Sequence, residues 1–323
     1  MDFIKEIREK IKERDKVVCL PETEDSRVQE AARLLIDKNL VSKVVLIGEE
    51  KKYNFVNTQI EVINYKNGPD FEKLSKKYYE KRKHKGISLK EAKEQLKNNL
   101  YYSSMLLDAG YVDAVVAGAD HPTGDVLRAA IRGVGLQEGI DTISSVFIMI
   151  TDKKEFGQEG ILGFADCAVV PNPEPKQLAT IAESSAQTYR NLLGKEPKVA
   201  FLSFSTKGSA KHERVDNVLK AMDFLKDKNV DFKFDGELQA DAALLDSVAR
   251  KKAPESEIAG SANCLIFPSL EAGNIGYKLV QRFADAEAVG PVIQGLNKPY
   301  NDLSRGCSVD DIVNTACLAL LNS

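Results

Sequence analysis

A chain of 323 residues, 43% hydrophobic and 29% charged, is long enough for two domains or for one large domain split by a chain crossing. Its net charge of −3 argues against a general nucleic-acid or acidic-membrane binder, and no apolar run approaches the roughly 20 residues of a membrane helix. Five scattered cysteines without a CxxC, and three histidines far apart in sequence, indicate neither a disulfide framework nor a zinc or histidine-rich metal site.

The opening Met-Asp-Phe-Ile-Lys-Glu-Ile-Arg-Glu-Lys is a charged helical pattern without the apolar core of a signal peptide, so a cytoplasmic location is expected. Residues 16–20 read as a short buried strand ended by Pro21. A helix follows over 27–38, with apolar positions at Val28, Ala31, Ala32, Leu35 and Ile36, and then a strand over 43–48. All-apolar strands alternating with amphipathic helices are the signature of a parallel sheet covered on both faces. Residues 70–108 read as helical and highly charged. Within them 76–85 holds six Lys or Arg and one Glu. That run suits a solvated helix face, but Gly86 breaks the helix where the charge peaks, so a phosphate clamp stays open. Residues 112–118 form the next strand. Its loop, 119–124, enters a helix that Thr123 can cap, where Arg128 could reach back over the loop and Arg132 lies one turn further on. The loop is not GxGxxG and gives no specific support for a dinucleotide.

Strands are expected over 144–150 and 161–170, joined by a polar hairpin-like connection, followed by a helix that Pro171-Asn-Pro-Glu-Pro175 opens and that ends near Leu193. The strand 199–203 leads into Phe204-Ser-Thr-Lys-Gly-Ser209. This loop is dense in hydroxyls (Ser205, Thr206) and backbone donors, and phosphate is a plausible guest although the P-loop order is absent. Helices follow over 213–226 and 238–250, the second preceded by Phe234-Asp-Gly-Glu237. After a short strand at 265–267, Leu270-Glu-Ala-Gly-Asn-Ile-Gly276 reads as a loop entering a helix, with Gly273 and Asn274 suited to close backbone approach of a ligand. A last strand over 288–294 precedes the final stretch. The expected domains are 1–139 with 291–323, and 140–290, the last helix returning to pack on the first.

The final stretch, Asn297-Lys-Pro-Tyr-Asn-Asp-Leu-Ser-Arg-Gly-Cys-Ser-Val-Asp-Asp311, leads into an amphipathic helix over 309–321. Ser308 is a good N-cap, and Asp310 and Asp311 fall in the first turn. Ser304, Arg305 and the helix N-terminus could converge on one small anion. Ser308-x-x-Asp311 is also a capping-box pattern, which by itself means only a well-formed helix start. Four strand-to-helix loops, around Gly124, Gly208, Gly273 and Gly306, carry Gly with Ser, Thr, Asn or Arg. Such loops on strands of similar direction would rim one crevice.

From Leu20 to about Ala319 the chain resembles the phosphate acetyltransferase (phosphotransacetylase) family. The likeness is carried by Leu20-Pro-Glu-Thr-Glu-Asp25, Arg82-Lys-His-Lys-Gly86, Asp125-Val-Leu-Arg128, the Ser205 loop, Asp235-Gly-Glu-Leu-Gln-Ala-Asp241, Gly273-Asn-Ile-Gly-Tyr-Lys278, and above all Asn301-Asp-Leu-Ser-Arg-Gly-Cys-Ser308. The resemblance implies two α/β domains with largely parallel sheets, similar to the isocitrate/isopropylmalate dehydrogenase-like fold, with the active site in the cleft between them. It also implies reversible acetyl transfer between CoA and inorganic phosphate, no tightly bound cofactor beyond CoA as substrate, and a homodimer. By the same resemblance Asp311 is the base for the CoA thiol, and Ser304 and Arg305 stand at the thiol and the acyl phosphate. Arg82, Arg128 and, less directly, Arg27 are assigned to CoA or phosphate.

An ordinary Asp, pKa ~3.9, is a poor match for a thiol of pKa ~8.5, since full proton transfer would be uphill by roughly 6 kcal/mol. Asp311 must therefore be partly desolvated, or its proton transfer concerted with thiol attack on the carbonyl. Arg305, a fixed and always-charged fork, suits both the acyl phosphate and the charge that develops as phosphate departs. Cys307 at a helix N-terminus invites a covalent acyl-enzyme, but no histidine lies near it in sequence, and direct attack in a ternary complex is expected. Three other readings are a butyryl-preferring relative, a pyridine-nucleotide oxidoreductase on a similar scaffold, and a non-catalytic CoA-sensing module.

Overall fold

The first strand, β1 (Val17–Leu20), is buried from its second residue onward and lies at the centre of a five-stranded sheet. The computed structural model describes residues 3–12, 14–49, 52, 53, 55, 57–66, 68 and 70–323. The N-terminal helical pattern appears as α1 (Phe3–Lys12), and its first two positions, Met1 and Asp2, lie outside the described residues. The chain divides into two compact units, Met1–Glu138 with Leu296–Ser323, and Gly139–Gly295.

In the first unit, α2 (Ser26–Asp37) leads from β1 to β2 (Lys43–Ile47), and β3 (Ile60–Ile63) continues the sheet outward. The charged stretch folds as α3 (Phe71–Arg82), a 3-10 turn at Lys83–Lys85 and α4 (Leu89–Gln95), with Gly86 left-handed (φ 83°) where the helix stops. Then come α5 (Asn99–Ala109), β4 (Ala114–Ala117) and α6 (Thr123–Gly133). The chain returns through β11 (Tyr300–Asp302) and α12 (Val309–Leu321). Strand order is β11-β4-β1-β2-β3, and every pairing is parallel. β4 is buried throughout and packs against both α5 and α12, which explains its unbroken apolar sequence. The last helix does pack on the first: Arg8 of α1 reaches Asp310 at 3.0 Å and Asn314 at 2.8 Å on α12.

β11 was not expected from the sequence. It is three residues long and two of them are polar, but Tyr300 is fully buried and its hydroxyl donates to the Leu100 carbonyl at 3.2 Å. Because β11, β4 and β1 are parallel neighbours, their C-terminal ends lie on one edge. There they release three loops, each leading to a helix: 21–25 to α2, 118–122 to α6 and 303–308 to α12. Chain direction across the sheet reverses between β1 and β4, the position where open α/β sheets take their ligands.

The second unit contains β5 (Ser144–Ile150), β6 (Ile161–Ala165), α7 (Pro175–Leu193), β7 (Lys198–Leu202), α8 (Glu213–Lys228) and β8 (Lys233–Leu238). It continues with α9 (Ala240–Leu244), α10 (Asp246–Lys252), β9 (Cys264–Ile266), α11 (Leu270–Phe283) and β10 (Glu287–Gln294). Its sheet runs β10-β5-β6-β9-β7-β8, parallel from β6 to β8 and antiparallel at β5 with both neighbours. Residues 234–237, which precede the expected helix, belong to β8. Two local readings change. The expected helix over 238–250 is two short helices meeting at Leu245, which is extended (φ −111°, ψ 113°). Residues 270–276 are already helical. β10 also runs across residue 290, where the sequence reading returned the chain to the first unit.

Candidate active site

Glu22 anchors the edge where the three loops of the first unit meet. It is 4% exposed, and its carboxylate accepts four backbone N–H groups: Gly118 and Ala119 on Oε2 (2.8 Å each), Asp120 and His121 on Oε1 (2.9 Å each). His121 Nδ1 adds a fifth contact at 2.7 Å. Burial alone would raise this carboxyl, but the imidazole and the converging N–H groups outweigh it and hold the pKa below the ordinary value. The same contact raises His121. The loop after β4 is therefore wrapped around a fixed negative charge supplied by the loop after β1.

Asp302, at the end of β11, faces that loop from the other side and is treated differently. Its Oδ2 accepts the Thr123 hydroxyl at 2.6 Å, whereas its Oδ1 is buried with no hydrogen-bond partner. Gly118 makes the approach possible: at φ 109°, a Cβ there would lie 2.5 Å from Asp302 Oδ1 and 2.6 Å from the Leu303 nitrogen. Thr123 is thus the first residue of α6 rather than its cap, and Pro122 holds the cap position.

Ser304 and Arg305 follow directly and are both exposed. Ser304 Oγ accepts the Gly306 N–H at 3.3 Å, and the Arg305 guanidinium has no ion-pair partner among the described residues. Arg27 fixes this loop. Its Nη1 donates to the carbonyls of Arg305 (2.9 Å) and Cys307 (2.7 Å), and its Nη2 donates to the Ala119 carbonyl (2.9 Å) and Asp25 (2.6 Å). Asp25 also caps α2 through the Arg27 N–H, and the guanidinium holds that carboxyl low. Arg27 therefore ties three loops together and has its donors engaged within the protein. Asp311 forms the capping box: Oδ2 accepts the Ser308 N–H at 2.8 Å, and its own N–H donates to Ser308 Oγ at 3.1 Å. Cys307 is buried, its thiol 3.8 Å from Arg27 Nη1, and burial pushes its pKa up rather than down.

Of the other arginines singled out from the sequence, Arg82 lies at the end of α3 and Arg128 and Arg132 lie on α6. Arg128 pairs with Asp125 one turn earlier on α6. Arg82, half-buried at the end of α3, and Arg132 both act on Tyr78, whose hydroxyl is pushed up to about 12 by burial and by Tyr101, with the two arginines opposing the rise. Within the basic run Lys77 and Lys81 pair with Asp108, and Lys83 with Glu80, so part of its charge is neutralised locally.

The structure does not bring the second unit's four sequence-chosen residues into a comparable open set. Ser205 is fully buried and Thr206 nearly so. The Ser205 hydroxyl donates to Glu237 Oε1 at 2.7 Å, and Thr206 Oγ1 accepts the Gln239 N–H at 2.9 Å. Gly273 is a packing position, since a Cβ there would come within 2.3 Å of the Asp166 carbonyl oxygen. Asn274 Nδ2 donates to the Cys167 carbonyl at 3.1 Å. Sequence reasoning missed Glu22 and Asp302 as individual site residues. A carboxylate directly after a strand-ending proline, opposite a glycine that ends the neighbouring strand, was the available signal for Glu22.

Comparison with known proteins assigns the family. The family profile described as phosphate acetyl/butaryl transferase matches residues 2–320. A phosphate acetyltransferase of Thermoanaerobacterium thermosaccharolyticum is 48% identical over 318 residues, covering 97% of each chain. One from Clostridium acetobutylicum is 45% identical over 330 residues, covering 100% of this chain and 99% of its own. The crystal structure of a phosphotransacetylase from Streptococcus pyogenes aligns with a TM-score of 0.92 at 38% identity, over 99% of this chain and 97% of that one. With its parallel-sheet edge, the open Ser304–Arg305 pair and this similarity along its whole length, the chain belongs to the phosphate acetyl/butaryl transferase family of acyltransferases.

Proposed function

We propose that this chain transfers an acetyl group reversibly between CoA and inorganic phosphate, by direct thiol attack in a ternary complex. The observation that carries the reading is the Arg305 guanidinium, exposed and unpaired among the described residues while its backbone is held by Arg27. In the direction of thioester formation, the CoA sulfur bonds to the carbonyl carbon of acetyl phosphate. The carbon–oxygen bond to phosphate breaks, phosphate leaves with the electron pair, and the thiol proton passes to Asp311. Arg305 neutralises the oxygens that gain charge, and Ser304 Oγ orients the reacting groups. Asp311 Oδ2 is engaged by the Ser308 N–H, so Oδ1 is the oxygen that faces the thiol, and the proton moves in concert with attack.

Arg82 and Arg128 take the CoA and acyl phosphate groups, with Arg132 beside them. Arg27 acts by positioning the 305–307 backbone. On this reading Ser205, Thr206, Gly273 and Asn274 bear on substrate through the shape of their loops, since their polar groups are turned inward. No tightly bound cofactor takes part in the chemistry. The protein works in the cytoplasm, and among the described residues no helix is long and apolar enough to cross a membrane. It works as a homodimer, a reading supported by α11, where Ile275, Leu279 and Phe283 lie four residues apart along one stripe and are 58%, 49% and 86% exposed.

The test is thioester formation from CoA with acetyl phosphate, and with butyryl phosphate in parallel. Fast turnover of acetyl phosphate alone supports the proposal. A butyryl preference keeps the mechanism and changes the substrate, and CoA binding without turnover of either makes the chain a CoA-sensing module. Sedimentation of Phe283→Glu against the unchanged protein tests the dimer, with a shift to monomer expected.

A further inference from the structure

Asp302 is 4% exposed, and among the described residues its Oδ1 has neither a hydrogen bond nor an ion pair. The nearest cations of the neighbouring helices and of the loop after β4 are engaged elsewhere, and Arg305, three residues on, is exposed and makes no ion pair with Asp302 among the described residues. Arg27 of α2 is held by Asp25 and three carbonyls, His121 by Glu22, Arg128 of α6 by Asp125, and Arg8, packed on α12, by Asp310 and Asn314. The anion that acts on Asp302 is Glu22, which adds repulsion, while Asp311 is turned to its own helix cap. The backbone of Gly118 and Leu303 closes over Oδ1, leaving no space even for a Cβ. A bare carboxylate in this position is strongly disfavoured, whereas a carboxylic acid is tolerated.

We propose that Asp302 is a positioning residue for acyl transfer, which as a neutral carboxylic acid joins the start of α6 to the end of β11 and so sets where Ser304 and Arg305 stand. The join is the 2.6 Å bond from Thr123, one residue before Gly124 and five before Arg128 on one side, and two residues before Ser304 on the other. Burial first, then the charge of Glu22, pushes this carboxyl up to about 7, with the Thr123 bond and the nearby Leu303 N–H opposing the rise. Above that pH a second negative charge appears beside Glu22; the Thr123 bond favours the charged form, but the repulsion between the two carboxylates bears on the end of β11. Loss of one proton in the neutral range thus moves the loop that carries the reacting arginine.

The proposal rests on the acyl-transfer reading for its kinetic arm only. Its first test is infrared: a carboxylic-acid carbonyl band present at about pH 6, fading through about pH 7 and absent from Asp302→Asn. Thr123→Val, which removes the bond that holds the carboxyl down, shifts the fading to higher pH, and it serves alone if Asp302→Asn does not fold. The second test is the ratio of kcat/KM for Asp302→Asn to that of the unchanged protein, from which CoA ionisation cancels. It rises at least about threefold between about pH 6 and pH 8.5, because the amide keeps the neutral join. A missing band at about pH 6, or a flat ratio, overturns the proposal. If neither protein transfers acyl groups, it is the acyl-transfer reading that fails. The infrared titration then still decides the state of Asp302, together with a thermal midpoint that rises in Asp302→Asn relative to the unchanged protein as pH increases.

Discussion

Each unit holds a buried glutamate at the C-terminal ends of parallel strands, and the two do opposite things to the loops around them. Glu22 binds mainly backbone, four N–H groups beside one imidazole, so the loop after β4 is fixed while the Ser304 and Arg305 side chains of the adjoining loop stay open to solvent. Glu237 binds side chain as well, taking the Ser205 hydroxyl at 2.7 Å together with the Gly208 N–H at 2.8 Å. A carboxylate satisfied by backbone leaves functional groups free for a ligand. One satisfied by hydroxyls turns those hydroxyls into scaffold. Both loops look equally hospitable to phosphate as strings of Gly, Ser and Thr.

The largest effect that would sharpen this contrast is at Arg305. Arg305→Ala should lower kcat/KM for thioester formation by about 10²–10³, the usual loss when one group aimed at developing charge is removed. Arg305→Lys should recover little, because an ammonium cannot reproduce the fork. Full activity in Arg305→Ala would remove the reason to place the chemistry in the first unit. Next is Glu22→Gln, which puts an amide NH₂ against two backbone donors and should destabilise folding by about 2–4 kcal/mol in urea denaturation. The pH dependence carries a sign. Glu22 is lowered on folding, so its contribution is present above the ordinary carboxylate range and disappears as pH falls through its depressed value. His121 is raised, so its contribution is complete below about pH 6.5 and disappears as pH rises through its elevated value. Glu22→Gln should flatten both limbs; a profile unchanged on either side would show that the pair is not coupled to folding.

How much of this was legible beforehand follows the same division. The first sheet could be read because β1, β2 and β4 are apolar runs in a βα alternation, and the Ser308 cap because its spacing is local. β11 could not, since its place in the sheet is decided by Tyr300 packing under α5, some 200 residues away in the chain. Asp302 was invisible for the same reason: its meaning depends on Gly118 and Thr123, which only the parallel pairing of β11 with β4 brings alongside. The direction of the Ser205 and Thr206 hydroxyls was likewise set by Glu237 and Gln239, residues on another strand and the turn after it.

Asp311 tests the contrast inside the first unit, because this carboxylate caps a helix and is also assigned a proton. Asp311→Asn keeps an oxygen for the Ser308 N–H, so the helix start should lose about 1 kcal/mol or less. A base role requires kcat to fall by about tenfold or more with KM little changed. If both stability and turnover stay within those limits, Asp311 is a cap and the proton goes to solvent.

The smallest effect is expected at Ser205, where it is most diagnostic. Ser205→Ala removes the hydroxyl that Glu237 Oε1 accepts and leaves that oxygen with the Gly208 N–H, so folding should weaken by about 1–3 kcal/mol. If the hydroxyl is scaffold, KM for CoA should move by no more than about twofold once the protein is assayed well below its melting range. A large rise in KM with unchanged stability would mean that the hydroxyl leaves Glu237 to meet substrate. The two units would then differ in when they release their donors rather than in whether they do.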